Sequence, residues 1–319
     1  MIQVLLAALG LVACLPSAMA QDSYPGRNVT IVVPLAAGSG TDIMARVLAT
    51  SLSAKLGKSF TVENRPGANA VTGAEYTARQ PNDGYTLMFG GNGTHSAGPH
   101  LSRNIKYDPI KDFTPIARLA TAGAVLLVHP DSPYRSMADL IRDAKANPGK
   151  LTYGAPNSGS QIANETIKKV MSLDITRVPY RATPQAMTDV IAGTITMAFV
   201  DVAGALSNVT SGKARALVIT SAKRSALLPD TPTMQETGFK DFDLTYWTGL
   251  FGPAGLPKEV VATLDRAAAE IMNETAIKDA LRALGLEPSH LPAAQMPAYV
   301  QAELDRWGVF VRDAAIEPN

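Results

Sequence analysis

A strand that runs through a few small residues directly into a helix restricts the folds open to a chain, and here that arrangement occurs twice. A β-branched run from Val29 to Val33 ends at Pro34, and five small residues follow, Ala36 to Gly40. Ile43, Val47, Leu48, Leu52 and Leu56 then recur at helical spacing. Thr41 and Asp42 are expected at the helix N-cap and Gly57 at its C-terminal cap. Free backbone N–H groups and the positive end of the helix dipole make such a junction an anion cradle. Small residues alone would suit any tight strand-to-helix turn; the second copy favours the cradle. Around Leu151 the chain reads Leu-Thr-Tyr-Gly-Ala-Pro-Asn-Ser-Gly-Ser, so that Ala36, Ser39, Gly40 and Thr41 fall opposite Ala155, Ser158, Gly159 and Ser160 without a gap. Two cradles about a domain apart predict two similar lobes facing one small anion.

The N-terminal stretch bears on where the chain works. Ile2 to Cys14 is mostly apolar yet too short to cross a bilayer, and Ala18-Met19-Ala20 is a small-x-small cleavage site. A secretory signal peptide, residues 1–20, is therefore expected. Its rival is Leu11-Val12-Ala13-Cys14, which resembles a bacterial lipoprotein box and would leave a lipid-anchored Cys14. Cys14 is the only cysteine, so a chain cut after Ala20 has no disulfide and suits the periplasm. The 29 Lys and Arg nearly balance the 28 Asp and Glu, and no basic stripe with interleaved aromatics occurs, which argues against nucleic acid.

Roughly 300 residues after cleavage exceed what one core usually supports. To about Ala120 strands and helices alternate with short connections, as in a parallel α/β sheet whose ligands sit beyond the strands' carboxyl ends. Gly90 to Thr94 reads as a flexible polar loop at one such end. Met197 to Val200 is a buried strand that delivers Asp201 at another. Ile116 to Val128 and Phe242 to Phe251 are apolar runs long enough to cross between lobes. They divide the chain into a discontinuous lobe, 21–120 plus 246–319, and a continuous one, 121–245. Everything after Pro257 reads as helical.

Catalytic patterns fail residue by residue. A dinucleotide fingerprint would need glycine where Ile43 stands, and a P-loop ending at Gly57-Lys58-Ser59 would need it at Leu52. His95-Ser96-Ala97-Gly98 falls short of a nucleophile elbow because Thr94 replaces glycine. His95 and His100 read as solvated loop histidines rather than metal ligands, and His290 as a residue of a Pro-rich loop with nothing to orient it. Asp201 is open to three roles: a general base, a carboxylate that orients loops, or an acceptor for ligand. Tyr180 and Trp247 read as core or hinge packing, with ligand contact the alternative. No enzyme, metal or cofactor is expected.

Further motifs carry a resemblance. They are Tyr24-Pro25, Val32-Val33-Pro34 with Ala37-Gly38 and Thr41-Asp42, Glu63-Asn64-Arg65-Pro66-Gly67-Ala68, Pro81-Asn82-Asp83-Gly84-Tyr85-Thr86, Tyr107-Asp108 with Asp112-Phe113, and Asn147-Pro148-Gly149-Lys150-Leu151. Val178-Pro179-Tyr180, Leu228-Pro229-Asp230-Thr231-Pro232-Thr233 and Gly252-Pro253-Ala254-Gly255-Leu256-Pro257 complete the set. Together they make the chain similar to the tripartite tricarboxylate transporter substrate-binding proteins, the Bug receptor or TctC family. The resemblance implies an α/β, two-lobed periplasmic-binding-protein fold, type II-like, a Venus flytrap with a parallel-rich mixed sheet in each lobe. It implies periplasmic capture of a small carboxylate and transient delivery to membrane transporter subunits; a sensor kinase is the alternative partner. The implied ligand contacts are Leu35, Ala36, Ala37, Gly38, Ser39, Gly40, Thr41 and Asp42 on one cradle and Asn157, Ser158, Gly159 and Ser160 on the other. Asn92, Thr94 and Asp201 join them, with Arg181 nearby. Ser39, the Gln161-Ile162 pair and Arg181-Ala182 depart from the family's usual residues, and all border the expected cleft. With Arg181 the only nearby cation, a mono- or dicarboxylate is expected rather than a polyphosphate.

Overall fold

The computed structural model describes residues 24–180 and 182–318. The signal peptide, the Cys14 anchor and Arg181 lie outside them. The chain opens with β1 (Val29–Val33), α1 (Gly40–Leu56), β2 (Phe60–Asn64), α2 (Val71–Ala78) and β3 (Thr86–Gly91). A π-helical turn, Asn92–Ser96, runs into α3 (Ala97–Leu101). Next come β4 (Phe113–Ala122), β5 (Ala124–Val128), α4 (Met137–Ala146), β6 (Thr152–Ala155), α5 (Ser158–Met171), β7 (Thr176–Pro179) and α6 (Thr183–Ile191). They are followed by β8 (Met197–Asp201), α7 (Val202–Thr210), β9 (Arg215–Ile219), β10 (Tyr246–Pro253), α8 (Lys258–Asn273), α9 (Thr275–Ala283), β11 (Glu287–Pro292) and α10 (Met296–Asp313).

These strands form two mixed sheets. One has the order β11-β4-β10-β3-β1-β2, the other β7-β6-β8-β5-β9. β1 pairs in parallel with β2 and β3, β6 with β7 and β8, and the remaining pairings are antiparallel. Only Gly123 separates β4 in the first sheet from β5 in the second, and a Cβ there would meet Ile219 and Ser221 side chains at 2.7 Å. All five residues of β5 are buried, which is why that stretch of sequence is continuously apolar.

Helices cover both faces of each sheet. On the first, α1 sets Met44, Leu48 and Leu52 against Val29, Ile31 and Val33 and against Leu264 and Ile271 of α8. The other face holds Val71 and Ala74 of α2, Trp247, and Met296 and Val300 of α10. α10 then continues onto the second sheet's core, where Trp307 and Val311 join Leu126, Tyr153 and Phe199.

Two expectations are corrected. The region after Pro257 is not wholly helical: residues 287–292 form an edge strand on β4, and its two prolines are tolerated because an edge leaves one side unpaired. His290 lies on that strand and is oriented, with its Nε2 3.0 Å from an Asp265 carboxylate oxygen.

Candidate functional site

Local capping builds the first cradle. The N-cap of α1 is Ser39 rather than Thr41 or Asp42, and its Oγ accepts from the Asp42 N–H at 3.2 Å. Gly38 holds φ at 81°, a left-handed conformation that suits glycine, and its N–H donates to Asp42 Oδ2 at 2.9 Å. Arg46 Nε reaches the same oxygen at 3.0 Å, and Asn64 Nδ2 bonds Oδ1 at 2.8 Å. Burial opposes ionisation of Asp42, but the hydrogen bonds from Arg46, Gly38 and Asn64 outweigh it and hold the carboxyl at about 2. Asp42, 2% exposed, is thus a brace inside the loop and is turned away from any guest. Leu35, Ala36, Ala37, Gly38 and Gly40 are exposed and Ser39 and Thr41 half-buried; the N–H groups of Gly40 and Thr41 find no acceptor among the described residues.

At the second cradle the N-cap is Asn157, whose Oδ1 accepts from Ser160 N–H at 2.9 Å. Cap to capped amide is three residues in both cradles, so Ser39 corresponds to Asn157 and Asp42 to Ser160. The gap-free sequence alignment is therefore off by one residue. Ser160 is buried and its hydroxyl donates to Gly154 O, so it too supports the loop. The Gly159 N–H has no acceptor among the described residues.

The start of β10 brings the loops together. Tyr246 lies so close to Gly159 that a Cβ there would be 2.0 Å from the Tyr246 Oη. Trp247 N–H donates to Asn92 Oδ1 at 2.6 Å, and Thr248 Oγ1 lies 3.5 Å from Met44 Sδ of α1. Three consecutive residues, spanning about 7 Å of strand, therefore touch both cradle helices and the loop after β3. Asn92 Nδ2 is buried without a hydrogen-bond partner among the described residues.

The loop after β3 differs from the expected flexible polar segment. Gly90 and Gly91 belong to the strand, and Thr94 is 1% exposed, with its hydroxyl accepting from Gly91 N–H and lying 2.7 Å from His95 Nδ1. Thr94 is thus closed off from the cleft. His95 is fully buried rather than solvated, stacked on Phe251 at 3.8 Å, and burial drives its pKa down to about 3. Ser96 is also fully buried and accepts from Trp247 Nε1 at 3.0 Å. Trp247 is core, as one of its two readings had it. Tyr180 donates its hydroxyl to Asp189.

Asp201 caps α7, accepting from Gly204 N–H at 2.6 Å, and is exposed. Burial, then the Asp201 charge, push the Tyr246 hydroxyl up to about 12. Tyr246 is therefore a neutral donor at physiological pH, with no hydrogen-bond partner among the described residues. Sequence reasoning missed it, because Gly159 lies 87 positions away and only the fold makes them neighbours.

Two mixed sheets, a strand crossing directly between them, and helix N-termini gathered at the crossing define a two-lobed binding-protein architecture. The solved structure of R. palustris Rpa4515 with adipate has this fold: 33% sequence identity, a TM-score of 0.77, and coverage of 93% of this chain and all of that one. MatC from Rhodopseudomonas palustris with bound malate shares 30% identity at a TM-score of 0.70, covering 90% of this chain and 100% of that one. Protein BugT of Bordetella pertussis is 31% identical over 315 residues, 97% of each chain. Residues 44–316 match the family described as "Tripartite tricarboxylate transporter family receptor". The chain belongs to that family of receptors. No helix among the described residues is long and apolar enough to cross a membrane.

Proposed function

We propose that this chain captures a small carboxylate between two lobes, 21–120 plus 246–319 and 121–245, and hands it to transporter subunits in the membrane. Export through cleavage after Ala20 is part of this reading. One observation carries it: two free helix N-termini meet at the start of β10 beside a neutral tyrosine hydroxyl that has no partner among the described residues. The contacts on one cradle are Leu35, Ala36, Ala37, Gly38, Ser39, Gly40 and Thr41; Asn157, Ser158, Gly159, Asn92, Asp201 and Tyr246 complete them. Asp42, Ser160 and Thr94 act behind them as supports. Backbone amides and the Tyr246 hydroxyl donate to the carboxylate oxygens, each bond contributing ~1.5–3 kcal/mol net. A guest touching both lobes favours the closed form by its differential affinity for it.

The adipate and malate of two relatives support a dicarboxylate of four to six carbons as the guest. Calorimetric titration of the mature chain with succinate, malate, glutarate and adipate tests this. Saturable binding of at least one, recovered chemically intact, is expected. Binding of none of the four, or turnover of the bound compound, overturns the proposal.

A further inference from the structure

A cavity of about 810 Å³ lies apart from the cradles. The cradles stand on β1, β3, β6 and β8, whereas the cavity is bounded by β4, β11, the end of β9 and residues 221–226, and meets the cleft side only through Val202 and Thr245, the chain neighbours of Asp201 and Tyr246. In the first sheet β10 lies between the cradle strands and β4, which itself lines the cavity, and in the second β5 lies between β8 and β9. The volume suits a small organic molecule. Both sheets supply its walls, which are tied by Glu287, whose Oε1 accepts from Ser225 Oγ and Ala226 N–H at 2.8 Å.

Charges of both signs line this space with incomplete partners. The Arg118 guanidinium lies 4.7 Å from the Tyr299 ring centroid and bonds Ser289, but no carboxylate among the described residues pairs with it. Glu303, on α10, is 3% exposed. One of its oxygens accepts from Arg306, which also bonds Asp243 at 2.6 Å; its Oε2 makes no well-formed hydrogen bond among the described residues, with the Trp307 indole N–H its neighbour. A buried carboxylate oxygen without a full donor is costly, and turning Glu303 toward a donor in the cavity would relieve it.

We propose that this cavity is a second small-molecule site, separate from the carboxylate cleft, for a zwitterion whose carboxylate meets Arg118 and whose ammonium meets Glu303. A guest there contacts both sheets and so biases the angle between them.

The test uses ligand-observed NMR titrations of the mature chain with 5-aminovalerate, valerate and pentylamine, which differ in charge but little in size. 5-Aminovalerate is expected to bind at least tenfold more tightly than either single-charge probe. Ala222→Trp, on an exposed loop of the cavity wall, and Arg118→Leu should each weaken it tenfold or more. Gly40→Val, in the cleft and with open space around its Cβ, should leave it unchanged. No saturable binding, equal binding of all three probes, or loss in Gly40→Val with retention in Ala222→Trp overturns the proposal.

Discussion

Gly159→Ala is the sharpest probe of the cleft. The added Cβ would lie 2.0 Å from the Tyr246 Oη and 3.0 Å from Cζ, so the hydroxyl must retreat by more than about 1 Å to reach ordinary contact. Tyr246 cannot simply swing away, because its ring packs 5.6 Å from the Trp307 ring and the strand it stands on is paired on both sides. The hydroxyl's bond to the guest is then lost, a cost of about 1.5–3 kcal/mol, which raises Kd roughly tenfold to a hundredfold. Tyr246→Phe should produce a similar loss without moving the backbone. On the Tyr246→Phe background Gly159→Ala should add less than about threefold, since the clashing oxygen is gone. Calorimetry with the tightest-binding dicarboxylate completes the cycle. Unchanged affinity in Gly159→Ala, or fully additive losses in the double variant, refutes the assignment of Tyr246 as a ligand contact.

Gly40 provides the contrast, since its Cβ would meet nothing within 4 Å; Gly40→Ala should leave apo stability within about 0.5 kcal/mol in urea unfolding. Asp42→Asn should cost about 2 kcal/mol at neutral pH, after allowing for solvent around half-exposed Arg46. Because the folded carboxyl sits below its free value of 3.8, that stability is present above about pH 4 and fades toward pH 2; denaturant midpoints of the two proteins should converge across that window. Arg306→Met strands Glu303 and Asp243 as uncompensated carboxylates and should lower stability by about 3 kcal/mol, read as a fall in urea midpoint at unchanged m. Gly98→Ala would put a Cβ 1.8 Å from Gly93 O and should lower Tm by several degrees.

What the sequence disclosed was mostly local. Gly57 caps α1 in the left-handed conformation, because its signal lies within a few residues of its effect. The cradles were legible for the same reason, although Asn157 took the cap that the alignment gave to Ser158. The signal for that shift was present: Asn157 to Ser160 has the same spacing as Ser39 to Asp42. Burial of Thr94 and His95 was hidden, since nothing polar in that loop announces that Phe251 and Trp247 arrive from more than 150 residues away. β11 was masked by Pro288 and Pro292, which read as loop until β4 is seen to leave an edge free. The nearness of Tyr246 to Gly159 was invisible because it depends on a helix start in the other half of the molecule.

α10 lies along both sheets, with Met296 and Val300 seated on one and Trp307 and Val311 on the other. Trp307 in turn braces the ring that carries the Tyr246 hydroxyl. Any swing of one half must therefore bend this helix or drag the indole across the tyrosine, so the joint and the proposed palate of the receptor are a single machine part. A relative that evolves toward a different guest by altering position 246 would alter its own range of travel in the same step.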